Sequence, residues 1–176
     1  MSKPVILASA SKSRAALLSA AGVPFEAVPA HADEEAVKVA LKAEGASAAQ
    51  CAEVLAELKA VQVSQRYPGT LVIGADQMLE CDGIWFNKPA DLNAARGHLV
   101  ALRGRAHHLP TSAAVALNGS RIWHANASPR LTMRPMTDAY IEHYLASVGT
   151  AALSSVGAYQ LEGWGVQLFQ DIDGDF

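Results

Sequence analysis

Short apolar runs alternate with longer alanine-rich or amphipathic stretches along this chain of 176 residues. The apolar runs predict strands at residues 4–8, 25–29 and 70–75. Capping residues, glycines and the spacing of leucine and alanine predict five helices. The first extends from about Arg14 to Gly22, and two more lie between Asp33 and Arg66, separated near Gly45, with the second of them starting at Ser47. The last two extend from Asp91 to Leu102 and from Thr137 to about Ser147.

Turn signals interrupt this alternation and indicate hairpins. An Asp-Gly pair at 82–83 divides the apolar run at 78–86, and an Asn-Gly pair at 118–119 joins a strand at 108–117 to a strand at 121–133. Hairpins make neighbouring strands antiparallel, whereas helical crossovers make them parallel. We therefore expect an α/β fold in which helices flank a mixed sheet.

Composition narrows the class of protein. Hydrophobic residues make up 51% of the chain and charged residues 18%, which is typical of an ordered globular protein, and no linker divides it, so we expect one domain over residues 1–176. The net charge of -3 provides no basic surface for a nucleic acid polymer, and no apolar run is long enough to span a membrane. Two isolated cysteines, Cys51 and Cys81, and the absence of a secretory signal favour a cytoplasmic protein.

One acidic residue interrupts an apolar run. The run LVIGA at 71–75 leads directly into Asp76 and Gln77, after which the chain becomes apolar again. A buried carboxylate is costly unless a cation accompanies it, and α/β proteins place their sites where strands end. An aspartate that caps a turn is the alternative, although the apolar sequence that follows disfavours a turn. We predict that Asp76 is a metal ligand or a general base.

The segment SASKSR at 9–14 follows the first predicted strand and begins a helix. Free backbone N–H groups at a helix N-terminus attract anions, and the hydroxyls of Ser9, Ser11 and Ser13 together with Arg14 add further donors. This arrangement predicts a phosphate site. An ordinary serine N-cap beside a solvated arginine is the alternative interpretation.

Several other charged residues allow both a functional and a structural interpretation. The acidic residues at 33–35 are candidate ligands for Mg²⁺ or Mn²⁺. In the structural interpretation, their negative charges interact favourably with the positive end of the helix dipole. Lys59 and Lys88 either bind an anion or lie at the surface. The histidines at 107–108 are neighbours on a predicted strand, so they face opposite sides and cannot readily share one ion.

Seven short segments, in their order and spacing, resemble the Maf family of nucleoside triphosphate pyrophosphatases. They are LASASKSR, DEE, LKA, GADQ, NKP, LRGRAHHLPT and GAYQLEGWG. The resemblance extends from Ile6 to Phe176. It implies an α/β fold with two lobes around a cleft, similar to that of the inosine triphosphate pyrophosphatases, and a homodimer. It also implies hydrolysis of a nucleoside triphosphate between its α- and β-phosphates, with a divalent cation such as Mg²⁺, Mn²⁺ or Co²⁺, to a nucleoside monophosphate and pyrophosphate.

The resemblance also implies roles for individual residues. The resemblance places Asp76 at the position of the family's proton acceptor. It also places Asp76 and Glu34 at the positions of the family's metal ligands. The positions that look like the family's phosphate and metal contacts are Ser9, Arg14, Glu34, Lys59 and Lys88.

The base preference follows from two departures from the commoner family pattern. Gln77 and the tail residue Glu162 look like the branch that acts on 7-methyl-GTP, since a carboxylate accepts hydrogen bonds from guanine. Stacking of the base on Trp164 or Tyr159 is a further hypothesis, and packing in the core is the alternative for both aromatic residues.

Two other functions stay open. The first is a dTTP or UTP pyrophosphatase, and the second is a weakly catalytic nucleotide-binding regulator of cell division. Members of the family normally continue beyond the final GDF with an apolar segment, so we expect this chain to lack the C-terminal segment of the family.

Overall fold

The computed structural model describes residues 4–175, which form two compact units. Unit 1 consists of the chain up to Gln77 together with Thr111–Asn126. Unit 2 consists of Met78–Pro110 and the chain from Ala127 onward. Phe176, the last residue of the sequence resemblance, lies outside the described residues.

Helices and strands alternate in the first half of the chain, and strands dominate the second half. In chain order the elements are β1 (Val5–Leu7), α1 (Lys12–Ala20), β2 (Phe25–Ala27), α2 (Glu34–Ala43), α3 (Ala48–Ser64), β3 (Val72–Gln77), β4 (Leu79–Cys81), β5 (Ile84–Phe86), α4 (Leu92–Leu102), β6 (Ala106–His108), β7 (Thr111–Leu117), β8 (Ser120–Ala127), β9 (Arg130–Met133), α5 (Asp138–Val148) and β10 (Phe169–Asp173). Short 3₁₀ helices connect α5 to β10. The predicted mixed α/β class is confirmed.

Unit 1 contains a mixed five-stranded sheet in the order β2-β1-β3-β7-β8. The strand β1 runs parallel to its two neighbours, β2 and β3, whereas β7 runs antiparallel to the central strand β3. The helix α3 packs against β3 and β7. Small side chains fill this contact, namely Ala56 and Ala60 of α3 and Ala114 and Ala116 of β7.

Gly74 of β3 allows the strand to approach α3 very closely. A Cβ atom added at Gly74 would lie 2.3 Å from the carbonyl oxygen of Ala56 and 2.7 Å from the backbone nitrogen of Ala60. These distances are shorter than any van der Waals contact, so a side chain at this position forces the strand and the helix apart. The close approach therefore depends on the absence of a side chain.

Unit 2 contains an antiparallel five-stranded sheet in the order β10-β9-β6-β4-β5. Its core includes a polar pair, because His107 of β6 is fully buried and its Nε2 atom lies 2.7 Å from the hydroxyl oxygen of Tyr159. Tyr159 is 4% exposed and packs edge-on against Phe169. The core alternative is thus the correct one for Tyr159, whereas Trp164 is 52% exposed.

The predicted strand at 121–133 is wrong as a single element. It is divided into β8 and β9, which belong to different sheets. Pro129 lies in the gap and has no N–H to donate to a strand ladder. Pro110 has the same effect on the predicted strand at 108–117, of which only the part from Thr111 onward forms β7.

The helix termini follow local sequence signals. Ser47, Asp91 and Thr137 cap α3, α4 and α5 as predicted, each by accepting a hydrogen bond from the backbone N–H three residues later. Among the described residues, no helix combines the length and apolar character that crossing a membrane requires.

Candidate active site

A buried lysine of α3 joins two carboxylates in unit 1. Lys59 Nζ lies 2.9 Å from Glu34 Oε1 and 2.5 Å from Asp76 Oδ1. Lys59 is 6% exposed and Asp76 is 5% exposed, whereas the side chain of Glu34 is 45% exposed. The cluster therefore combines a buried ion pair with a carboxylate that solvent reaches.

Strand alternation places Asp76 beside α3. Val72, Gly74 and Asp76 are the buried positions of β3, and Gly74 faces the backbone of the helix. Asp76 lies one residue before the end of the strand, as its position after the apolar run predicts. Lys59 lies between the alanines that pack on this face, so the close approach at Gly74 brings the lysine to the carboxylate.

The β1–α1 connection supplies hydroxyl groups and a second cation. Ser11 caps α1 by accepting from the Arg14 N–H at 3.4 Å, and Ser9 Oγ accepts from the Ser11 N–H at 3.1 Å and from Arg14 Nη1 at 3.2 Å. Ser13 is exposed on α1.

The electrostatics of Arg14 relate this connection to the carboxylates. Burial lowers the pKa of Arg14 from its ordinary value, and the negative charges of Asp76 and then Glu34 oppose that shift. An arginine stays protonated in proteins, so the guanidinium contributes a second positive charge near the two acids. Four charged groups from four different elements therefore interact with one another. They are Arg14 of α1, Glu34 of α2, Lys59 of α3 and Asp76 of β3.

Polar residues of β7 lie next to the acidic end of β3. Gln77 Nε2 donates to Thr111 Oγ1 at 2.9 Å, and Ser112 is the register partner of Asp76. Ser112 is 1% exposed, and its Oγ is one of the buried polar atoms without a hydrogen-bond partner in the described part of the chain. Ser112 is not among the residues predicted from the sequence, and Thr111 occurs only as the last residue of the segment LRGRAHHLPT. Both residues carry hydroxyl groups at the start of an otherwise apolar strand, which is a sequence signal for a polar site. Only the register of β7 with β3 shows that these hydroxyl groups lie next to Asp76 and Gln77.

Two predicted site residues belong to unit 2. Lys88 is exposed in the connection between β5 and α4, and Glu162 is exposed in the turn at 161–163. Trp164 follows that turn and is also exposed. The roles of these residues in binding stay predictions.

The two carboxylates of unit 1 suit a divalent cation whose remaining ligands come from outside the chain. Mg²⁺ prefers oxygen ligands and often takes only one or two carboxylates, with phosphate oxygens and water completing its shell. Glu34 and Asp76 supply two such carboxylates, both directed at Lys59 Nζ. Within residues 4–175, no group of three or more His, Cys, Asp or Glu side chains is arranged to hold a metal ion by itself. The donor set fits a cation completed by a polyanion.

His107 and His108 have no part in such a site. Their neighbouring positions on β6 face opposite sides, as predicted, since His107 is buried and His108 is exposed. Burial, and secondly the charge of His108, lower the pKa of His107 to about 4. A neutral, hydrogen-bonded imidazole in the core is a structural group.

An α/β fold that gathers a lysine, an arginine and two carboxylates where strands end is typical of enzymes with a charged active site. Within that class, the chain belongs to the Maf family, because the family profile described as Maf-like protein matches residues 4–176. The match covers both units.

Named relatives agree with this assignment. A nucleoside triphosphate pyrophosphatase of Granulibacter bethesdensis is 52% identical over 172 residues, which are 98% of this chain and 87% of that protein. A 7-methyl-GTP pyrophosphatase of Mesorhizobium japonicum is 47% identical over 176 residues, which are 100% of this chain and 88% of that protein. A 7-methyl-GTP pyrophosphatase of Rhizobium johnstonii is 48% identical over the same length, with the same coverage.

Proposed function

We propose that this protein hydrolyses nucleoside triphosphates between the α- and β-phosphates and releases a nucleoside monophosphate and pyrophosphate. The observation that carries the proposal is the cluster of Lys59, Asp76 and Glu34. A triphosphate has about four negative charges, and cations held in a partly buried site stabilise it more strongly than they do in bulk water. The names of the relatives support the same reaction.

The residues of unit 1 suggest how the reaction proceeds. Arg14, Ser9 and the N-terminus of α1 bind phosphate oxygens, and Lys59 offsets the charge that develops as the anhydride bond breaks. Asp76 orients the attacking water and accepts its proton. We propose that Glu34 and Asp76 hold a divalent cation, Mg²⁺, Mn²⁺ or Co²⁺, which when bound supplies further neutralisation of phosphate charge.

The test is pyrophosphate release from a panel of canonical and modified nucleoside triphosphates with each of the three cations. We expect turnover by the unaltered chain and a decrease of about 10²–10⁴-fold in kcat for Asp76→Asn, because the amide cannot accept the proton. Asp171→Asn is the matched control, since Asp171 is exposed on β10. An Asp76→Asn variant with full activity contradicts the assignment.

We propose 7-methyl-GTP as the preferred substrate. Gln77 and Glu162 support this choice, and relatives at 47–48% identity are named 7-methyl-GTP pyrophosphatases. If Glu162 accepts hydrogen bonds from guanine, Glu162→Gln lowers kcat/KM for 7-methyl-GTP relative to UTP by about tenfold, the size of one hydrogen bond to a charged group. An unchanged ratio counts against Glu162, and robust UTP turnover without 7-methyl-GTP turnover favours the pyrimidine alternative.

We also propose that the protein is a homodimer. The supporting feature is β8, the terminal strand in the order of the described sheet of unit 1, which exposes Ile122 at 55% and Trp123 at 53%. Light scattering coupled to size exclusion measures the molar mass, and a monomer at micromolar concentration contradicts the proposal.

A further inference from the structure

The segment that precedes Glu34 and the side chain of Glu34 itself both contact α3. This segment, residues 28–33, runs from β2 to α2 and has no helical or strand structure of its own. At its end, Asp33 caps α2 by accepting from the Ala36 N–H at 3.0 Å, and Glu34 is the first residue of the helix. The place of the Glu34 carboxylate therefore depends on where this segment lies.

A glutamine of α3 binds the backbone of the segment through both ends of its amide. Gln62 Oε1 accepts from the His31 N–H at 2.9 Å, and Gln62 Nε2 donates to the His31 carbonyl oxygen at 3.3 Å. Arg66 adds a longer contact of 3.5 Å from Nη2 to the carbonyl oxygen of Pro29. One side chain thus satisfies both backbone groups of a residue that lies outside any sheet or helix.

Gln62 and Lys59 act from the same face of α3. Residues three apart on a helix are neighbours on its surface. Lys59 holds the carboxylate of Glu34, and Gln62 holds the backbone three residues earlier. The two contacts together fix both the entry of α2 and the direction of its first acidic side chain.

We propose that Gln62 is a positioning residue for the reaction, which acts by holding His31 so that Glu34 stays directed at Lys59 and the phosphate site. This inference rests on the proposed function. Glutamine suits the role because its amide offers a donor and an acceptor, whereas glutamate offers only acceptors and leucine offers neither. Small displacements of a binding group reduce turnover strongly, by up to about 10²-fold for 1 Å.

The kinetic test is a double-mutant cycle in the full chain, with the nucleotide of the panel that the unaltered protein turns over fastest. We expect Gln62→Leu to lower kcat/KM about tenfold and Gln62→Glu, which keeps the acceptor for the His31 N–H, to lower it less. In a Glu34→Gln background, Gln62→Leu should have little further effect, because the group that it positions is already changed. Gln65→Leu, at an exposed position at the end of α3, is the matched control.

An equal loss in both backgrounds overturns the proposal, since Gln62 then acts independently of Glu34. Amide hydrogen exchange provides a second measurement that needs no turnover. Gln62→Leu should accelerate exchange of the His31 N–H about tenfold and leave the buried amides of α3 unchanged. Unchanged exchange at His31 overturns the proposal as well. Absence of turnover in the unaltered chain would overturn the proposed function, and exchange at His31 then still decides whether Gln62 holds the segment.

Discussion

Two buried serines of unit 1 differ in how their hydroxyls are satisfied. Ser64 Oγ accepts from the Gly119 N–H at 2.9 Å, whereas Ser112 Oγ has no partner among the described residues. Both side chains are almost completely buried, at 0% and 1% exposure. A buried hydroxyl without a partner costs free energy, whereas a satisfied one contributes to stability.

We therefore expect opposite effects from the same substitution. Ser64→Ala should lower the free energy of unfolding by about 1 kcal/mol, because it leaves a backbone N–H unpaired, and Ser112→Ala should leave it unchanged or raise it by up to about 1 kcal/mol. Urea unfolding monitored by tryptophan fluorescence measures both. Destabilisation by Ser112→Ala equal to that of Ser64→Ala would show that its hydroxyl has a partner in solution.

The pattern of the sequence predicted only one partner of the ion pair between Lys59 and Asp76. The polar interruption of LVIGA identified Asp76, because burying a carboxylate needs an explanation. Lys59 in an alanine-rich helix carries no such signal, since a lysine there is usually solvated, and only its resemblance to the family motif selected it. Ser112 and Gln62 were not selected, because each acquires a role through a partner distant in sequence.

At the scale of elements, the contact between α3 and β3 depends on Gly74. Its replacement by alanine places a methyl group 2.3 Å from a backbone oxygen that cannot move without the helix. Overpacking of a core usually costs about 1–3 kcal/mol, and here the displaced helix carries Lys59.

We expect Gly74→Ala to lower the free energy of unfolding by about 3 kcal/mol and to lower kcat/KM in the fraction that stays folded. Gly97→Ala is the matched control. Gly97 lies within α4, an added Cβ there meets nothing within 4 Å, and alanine is the better helix former by about 1 kcal/mol. Thermal unfolding followed by circular dichroism compares the two, and equal melting temperatures would contradict the close contact.

Local signals predicted the elements better than they predicted their partners. The caps Ser47, Asp91 and Thr137 were correct, because capping depends on a few adjacent residues. The single strand predicted at 121–133 was wrong, although Pro129 within it has no N–H for a strand ladder and disfavours a continuous strand. The division of the strands between two sheets could not be predicted, because strand pairing depends on contacts between distant parts of the chain.

At the scale of the whole molecule, the buried histidine of unit 2 makes stability depend on pH. His107 has a pKa of about 4 in the folded chain, below the ordinary value near 6.5 that it regains on unfolding. Between these two values the unfolded state binds more protons than the folded state. Stability contributed by the neutral imidazole is therefore complete above about pH 6.5 and is lost as the pH falls towards 4.

We expect the free energy of unfolding to decrease by about 2 kcal/mol from pH 7 to pH 5 through His107 alone. Urea unfolding at the two pH values measures the decrease. A His107→Phe variant should show a smaller decrease, whereas His108→Gln, which alters the exposed neighbour, should retain most of it. Equal decreases in the two variants would show that other groups cause the pH dependence.

The register between β3 and β7 has a practical consequence for protein engineering. Gln77 and Thr111 are opposite each other on antiparallel strands, although 33 residues of unit 2, Met78–Pro110, separate them along the chain. A two-residue Asn-Gly turn joins strands of this kind. Deleting that stretch and inserting such a turn, with the chain ended at Asn126, yields a minimal protein that retains Arg14, Glu34, Lys59 and Asp76. Expression of this shortened gene tests whether unit 1, which contains these four charged residues, folds without unit 2.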